Sequence, residues 1–283
     1  MGMFGVENCH FLQQWRYTYP LLEDAGLETW AVDILGWGFS DLDLFSLSSL
    51  CVERLPPCDV KSKRGGMVEN VFFVMLNYFH GMVKMLFEPS HFDLSHFSFL
   101  ISFGNPTLRS QRYLVGPSLG AAVAIDFAVN YSEVIDKLVM IDASVYSEGT
   151  GNSVNLPRTV AYAGVYILKS IPVRLYANFL AFNHMTLDTW WDWTKIGRLH
   201  CLFPWWEDAT VDFIISRGYN VTLQIEQVKQ KTLIIWGEND QIISNKLGVR
   251  PHGELPNAII CQIPDCGHLP HVEKPSKVRG LKL

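Results

Sequence analysis

Tyr113-Leu114-Val115-Gly116-Pro117-Ser118-Leu119-Gly120-Ala121-Ala122-Val123-Ala124-Ile125 is the stretch on which the reading of this chain turns. Apolar residues lead into two glycines that bracket a serine, and an alanine-rich run continues to Asn130. The pattern predicts a short strand over 113–115, a tight turn over 116–120 and a helix over 121–130. Gly116-Pro117-Ser118-Leu119-Gly120 fits Gly-x-Ser-x-Gly, the bend that lifts a serine hydroxyl above a sheet edge where a strand turns sharply into a helix. The small flanking residues are a steric requirement of that bend.

A serine hydroxyl is a poor nucleophile at neutral pH, so an imidazole must take its proton and a carboxylate must fix the tautomer of that imidazole. Both residue types occur downstream at strand ends. Asp240 closes Trp236-Gly237-Glu238-Asn239-Asp240, just past a predicted strand over 232–236. His268 closes Asp265-Cys266-Gly267-His268, after a further predicted strand over 258–263. The chain order Ser, Asp, His is the one expected when a nucleophile elbow carries an acyl-transfer triad.

Working outward, Trp15 to Gly26 reads as a helix, Thr29 to Leu35 as a buried strand and Lys137 to Asp142 as another strand. Alternation of strands and helices argues for a mostly parallel sheet with helices on both faces. Between residues 144 and 226 strand patterning fades and five of the nine tryptophans gather at 190, 191, 193, 205 and 206. That region is expected to be a helical insertion, dividing the core into a first part over 1–143 and a second over 227–283. Residues 65–111 hold eight of the seventeen phenylalanines without clear helical or strand periodicity, and are read as an atypical insertion.

Composition narrows the function classes. The chain has 283 residues, 48% of them hydrophobic and 18% charged, which suits a buried core and excludes a disordered chain. A formal net charge of -5 gives no basic field for a polyanion, so nucleic acid is not an expected partner. Six cysteines without a C-x-x-C pair do not suggest a disulfide scaffold, which favours a reducing compartment, intracellular and most simply cytoplasmic. No secretory leader is recognised, an organelle address on a longer N-terminus being the alternative, and the uncharged run from Val71 to Val83 is too short for a membrane span. His80, His91 and His96 lack acidic or cysteine partners at ligand spacing, and no metal is expected. Gly36-Trp37-Gly38-Phe39-Ser40-Asp41 has Asp41 where a dinucleotide loop needs its third glycine, and no cofactor is expected. His271 is read as a surface histidine.

Four stretches in this order, Leu21 to Asp41, Leu114 to Asp142, Thr232 to Asp240 and Leu255 to Pro275, resemble the α/β-hydrolase fold superfamily, close to its plant and bacterial soluble esterase-like members. The resemblance implies an α/β-hydrolase fold with a helical lid over 144–226. It assigns the nucleophile to Ser118, the acid to Asp240, the base to His268 and one oxyanion donor to the backbone N–H of Leu119. Asp142 is a position that some members use for the acid; the loop ending in Asp240 favours Asp240. The lid aromatics Trp205 and Trp206 would line an apolar pocket, implying an apolar ester or acyl substrate. The implied function is a serine-dependent hydrolase of carboxylic esters or related acyl bonds, without cofactor. A non-catalytic or slow-turnover small-molecule receptor of the same fold is the alternative.

The chain departs from that family in two places. Members begin with a strand hairpin and a further strand ending in His-Gly, whose following loop supplies the second oxyanion donor, and residues 1–14 hold neither. The N-terminal strands are therefore expected to be missing, with an unpaired sheet edge beside Thr29 to Leu35 unless residues 1–14 or 65–111 cover it, and weak catalysis for want of a donor. The crossover from Asp41 to Tyr113 is also about twice the expected length, because of residues 65–111.

Overall fold

The computed structural model describes residues 15–25, 27–33, 51–54, 69–75, 112–146, 156–216 and 220–280. Its centre is a seven-stranded sheet built from β1 (Leu27–Asp33), β2 (Cys51–Arg54), β3 (Glu69–Met75), β4 (Arg112–Pro117), β5 (Lys137–Ile141), β6 (Lys231–Gly237) and β7 (Ala258–Ile263). The spatial order is β2-β1-β3-β4-β5-β6-β7. Only β2 runs antiparallel to its neighbour. One row of paired residues crosses the six parallel strands through Ala31, Phe73, Val115, Val139, Leu233 and Ile259. The carboxyl ends of these strands therefore open on one edge, where ligands bind in open sheets of this kind.

Two expectations are corrected here. Residues 65–111 contain β3, a central strand lying between β1 and β4. Its sequence, Glu-Asn-Val-Phe-Phe-Val-Met, ends in a short continuous apolar run, the pattern of a central strand in a parallel sheet rather than of an alternating one. The edge beside 29–35 is also not open, because β1 pairs with β2 on one side and β3 on the other. Among the described residues the outermost strand on that side is the four-residue β2, Cys51–Arg54.

Both faces of the central strands β4, β5 and β6 are buried. Leu114, Leu138, Met140 and Ile234 face one layer together with Ala121, Ala122, Ala124 and Ile125 of the helix after β4. Val115, Ile141, Leu233 and Ile235 point the other way, against Trp15, Tyr19, Ile263 and Cys266. Successive strand residues thus alternate between two apolar layers. Trp15, just ahead of the short helix α1 (Tyr19–Asp24), is fully buried in the second layer, and a side chain of that size contributes several kcal/mol when removed from water, on the order of 3. The helix after β4, α2 (Gly120–Asn130), starts with small residues that bring it close to the sheet.

After β5 the chain leaves the sheet to form four helices, α3 (Arg158–Leu168), α4 (Ile171–Ala181), α5 (Leu187–His200) and α6 (Pro204–Ser216). Pro157 and Pro172 mark the starts of the first two, and the Thr186 hydroxyl caps the third by accepting from the Thr189 N–H. α3 packs on α6 and α4 on α5. Ala161, Val165, Cys201, Trp206 and Val211 give the insertion a small core of its own. A second cluster, Ala181, Phe182 and Trp193 with Leu269 and Val272, joins it to the segment after β7. Short α7 (Thr222–Ile225) returns the chain to β6, α8 (Asn245–Glu254) connects β6 to β7, and α9 (Pro270–Glu273) and α10 (Pro275–Arg279) follow. Among the described residues no helix is long and apolar enough to cross a membrane.

Candidate active site

Ser118 sits between β4 and α2 with φ 49°, a left-handed conformation that a serine adopts only when its surroundings impose it. Those surroundings are visible. The Ser118 N–H donates to the Ile141 carbonyl at 2.7 Å, and the Ser118 carbonyl accepts from the N–H groups of Ala121 and Ser144. A side chain at Gly116 would put its Cβ 2.4 Å from the Gly120 carbonyl oxygen, so the first glycine of the motif is required by the close approach of strand end to helix start. Leu119 is the N-cap of α2 and its side chain is buried, which sets its backbone at the positive end of the helix.

Asp240 and His268 arrive from the ends of β6 and β7, beyond β5 in the sheet. The loops that carry them are laced together: the Glu238 N–H donates to the Ile263 carbonyl at 3.0 Å and the Asn239 N–H to the Cys266 carbonyl at 2.8 Å. A Cβ at Gly237 would lie 2.0 Å from the Gly267 carbonyl oxygen, so only glycine allows this contact. His268 Nδ1 is 2.7 Å from Asp240 Oδ2, and His268 Nε2 is 3.0 Å from Ser118 Oγ. The other Asp240 oxygen accepts from the N–H groups of Ile242, at 2.7 Å, and Ile243, at 3.1 Å. Asp240 and His268 are buried, while Ser118 is partly exposed. Three side chains drawn from positions 118, 240 and 268 thus form one hydrogen-bonded series ending at a hydroxyl open to solvent.

The backbone on either side of His268 is anchored to the helical insertion. The His268 N–H donates to the Ala181 carbonyl at 2.8 Å. The Glu273 carboxylate accepts from the N–H groups of Gly267 (2.9 Å), Asn183 (3.2 Å) and His184 (2.9 Å). Glu273 therefore ties the segment after α4 to the loop that holds the imidazole. The only local hint of this in the sequence is a carboxylate five residues after His268, at the start of Glu273-Lys274-Pro275.

Asp142 follows β5 with φ 43°, and its carboxyl is fully buried. Asp142 Oδ1 accepts from the Gly237 N–H at 2.8 Å. Of the two candidate acids, Asp240 is the one hydrogen-bonded to His268. Donor atoms of Asp142, Asp240 and His268 lie within 4.8 Å of one another, the one grouping among the described residues with the composition of a metal site. Two of its three atoms, His268 Nδ1 and Asp240 Oδ2, already bond each other.

His271 is not a surface residue. It is fully buried, its ring stacks on Trp15 at a centroid distance of 4.5 Å, and neither ring nitrogen has a hydrogen-bond partner. The Thr18 hydroxyl donates to its carbonyl oxygen. Burial, with a smaller effect from nearby His268, pushes its pKa down to about 3, so the ring is neutral. The docking of the Trp15–Asp24 segment over the sheet is what covers it, a contact spanning the length of the chain.

The two aromatics expected to line a pocket differ in setting. Trp206 is buried among the insertion's own apolar residues, with the cationic ends of Lys169 and Arg174 at 5.8 and 5.5 Å from its ring. Trp205 is partly exposed and stacked on Phe203 at 4.9 Å. His80, His91, His96 and the 36–41 loop lie outside the described residues.

Comparison with known proteins agrees with this geometry at the level of family. Residues 10–280 match the sequence profile of the alpha/beta hydrolase family. The chain is 49% identical over 265 residues to the alpha/beta hydrolase domain-containing protein VTE7 of Arabidopsis thaliana, covering 94% of this chain and 67% of that protein. It is 27% identical over 178 residues to a 2-hydroxy-6-oxononadienedioate/2-hydroxy-6-oxononatrienedioate hydrolase of Comamonas testosteroni, covering 56% of each. Among solved structures, a meta-cleavage product hydrolase of Pseudomonas fluorescens superposes with a TM-score of 0.59 at 16% identity, over 96% of this chain and 85% of that one, a likeness of fold.

Proposed function

We propose that this chain, which belongs to the alpha/beta hydrolase family, is a serine-dependent hydrolase of carboxylic esters or related acyl bonds. The observation that carries the reading is the continuous contact from Ser118 Oγ through His268 to Asp240, at 3.0 and 2.7 Å. In this reading Ser118 Oγ attacks the acyl carbon while His268 Nε2 takes the hydroxyl proton. The imidazolium, held by Asp240, then gives that proton to the departing alcohol. Water, deprotonated by the same imidazole, attacks the acyl-serine bond, releases the acid and restores Ser118. The backbone N–H of Leu119, at the start of α2, is one donor for the oxyanion.

The substrate class follows from the same chemistry. A 2-hydroxy-6-oxo acid, the kind of compound for which the Comamonas relative is named, shares with an ester a carbonyl carbon open to attack. We read the substrate of this chain as a small carbonyl compound of apolar character, with Trp205 as its aromatic contact and the four-helix insertion as a lid over Ser118. Trp206 is better read as part of the insertion's core than as a pocket wall. Hydrolase-named relatives do not favour a non-catalytic receptor. The test is turnover of a short series of aryl esters by the purified chain. Turnover lost on Ser118→Ala supports the reading, and turnover unchanged by that substitution contradicts it.

A further inference from the structure

We propose that Asp142 is a positioning residue that keeps its proton and donates it in a hydrogen bond to the Asp240 carboxylate. The inference rests on the Ser118-His268-Asp240 reading and extends it by one member. Asp142 and Asp240 place carboxyl oxygens within 4.8 Å of each other in a region closed to solvent. Two carboxylates so placed do not both ionise, and one proton is shared between them.

The donors decide which acid keeps the proton. Asp240 faces three donors, the N–H groups of Ile242 and Ile243 and the ring of His268. Asp142 faces one, the Gly237 N–H on Oδ1, and its Oδ2 is buried with no donor directed at it. The groups that act on it electrostatically are acidic, Asp240 first and Glu273 after it. Burial, then the Asp240 charge, hold the Asp142 carboxyl well above the ordinary carboxylate range. The Cys266 thiol, on the loop that crosses above, is itself pushed up, chiefly by burial. An O–H at Oδ2 is the arrangement that satisfies this atom.

The left-handed backbone at residue 142 suits the role. Asp and Asn are the non-glycine residues most at ease there, and the conformation turns the side chain back beneath Gly237 toward the neighbouring strand end. A neutral Asp142 fixes the Asp240 carboxylate by its O–H, in a cluster that also holds a His268 ring nitrogen within 4.8 Å. It also leaves one negative charge, rather than two, beside the imidazole.

The experiment compares Asp142→Asn with Asp142→Ala in the full chain. Asn presents an N–H where the acid has its O–H, and kcat/KM is expected to stay within about threefold of wild type, whereas Ala removes a donor to a charged acceptor and should lower it by about 10- to 100-fold. The acid limb of the kcat/KM profile should not move in Asp142→Asn, because no charge is lost. The infrared carbonyl band of a buried protonated carboxylic acid should be present at neutral pH in the unmodified chain and absent from Asp142→Asn.

A fall of the acid limb to lower pH in Asp142→Asn, or absence of that band, would overturn the proposal by showing an ionised Asp142. Loss of activity in Asp142→Asn as large as in Asp240→Asn would do the same. The infrared band is read without turnover, so it stands even if Ser118→Ala shows that the nucleophile lies elsewhere. It also decides the matter if Asp142→Ala fails to fold.

Discussion

Ser118, Asp142 and Asp265 are the three described non-glycine residues with positive φ, and two of them lie at or against the candidate triad. Strain of this kind costs about 1–3 kcal/mol per residue and persists where surrounding contacts enforce it. Ser118→Ala should therefore leave the thermal midpoint nearly unchanged while ending turnover. Asp240→Asn should keep the fold and lower kcat by roughly 10⁴-fold, the loss expected when an imidazole is held in the wrong tautomer, as steady-state kinetics will show. His271 gives a stability effect separate from catalysis. Its folded pKa of about 3 lies below the ordinary value of about 6.5, so the unfolded chain binds the extra proton between those limits. Its contribution is complete above about pH 6.5 and is lost as pH falls toward 3, by up to ~1.4 kcal/mol per pH unit. Denaturant midpoints at pH 7 and pH 5 should thus converge in His271→Phe, which keeps the stack on Trp15 and removes the titration. At this scale the sequence was legible where residue type and order define the chemistry, as at Ser118, Asp240 and His268. It named Asp142 only as an alternative acid, placed the buried His271 on the surface and said nothing of Glu273, because the surroundings of each come from distant segments.

Among the elements, β3 carries the largest difference between reading and structure. The resemblance places a strand ending in His-Gly ahead of β1, whereas the strand between β1 and β4 comes after β1 in the chain. The sequence beyond it contains His80-Gly81, two residues that lie outside the described set. Periodicity could not reveal β3, since a central strand of a parallel sheet reads as a plain apolar run. The elements flanking Ser118, by contrast, were announced by glycines that punctuate strand and helix, and β7 was legible at its full extent, Ala258–Ile263. Replacing residues 65–111 with a short crossover should split the sheet between β1 and β4. A finer test is proline substitution, because proline removes a ladder hydrogen bond and is tolerated only at sheet edges. Phe73→Pro in β3 should abolish soluble, cooperatively folding protein, while Val52→Pro in the edge strand β2 should leave folded protein with a lower thermal midpoint.

For the molecule as a whole, one sheet edge gathers Ser118, Asp240 and His268 from three strand ends, and Glu273 and Ala181 fasten the helical insertion to the same place. The division of labour within the insertion predicts unlike outcomes for two neighbouring tryptophans. Trp206→Ala should cost about 3–5 kcal/mol of stability as a buried ring is lost, with equal loss of activity across all esters. Trp205→Ala should alter the ranking of acyl groups with little change in the thermal midpoint. The central claim is that the fold activates one particular serine hydroxyl, and covalent labelling of the purified chain with a fluorophosphonate, read by peptide mass spectrometry, tests it most directly. The account predicts a single modified residue, Ser118, with labelling abolished in Ser118→Ala and strongly slowed in Asp240→Asn. A folded chain that takes up no probe, or one still labelled after Ser118→Ala, would contradict it.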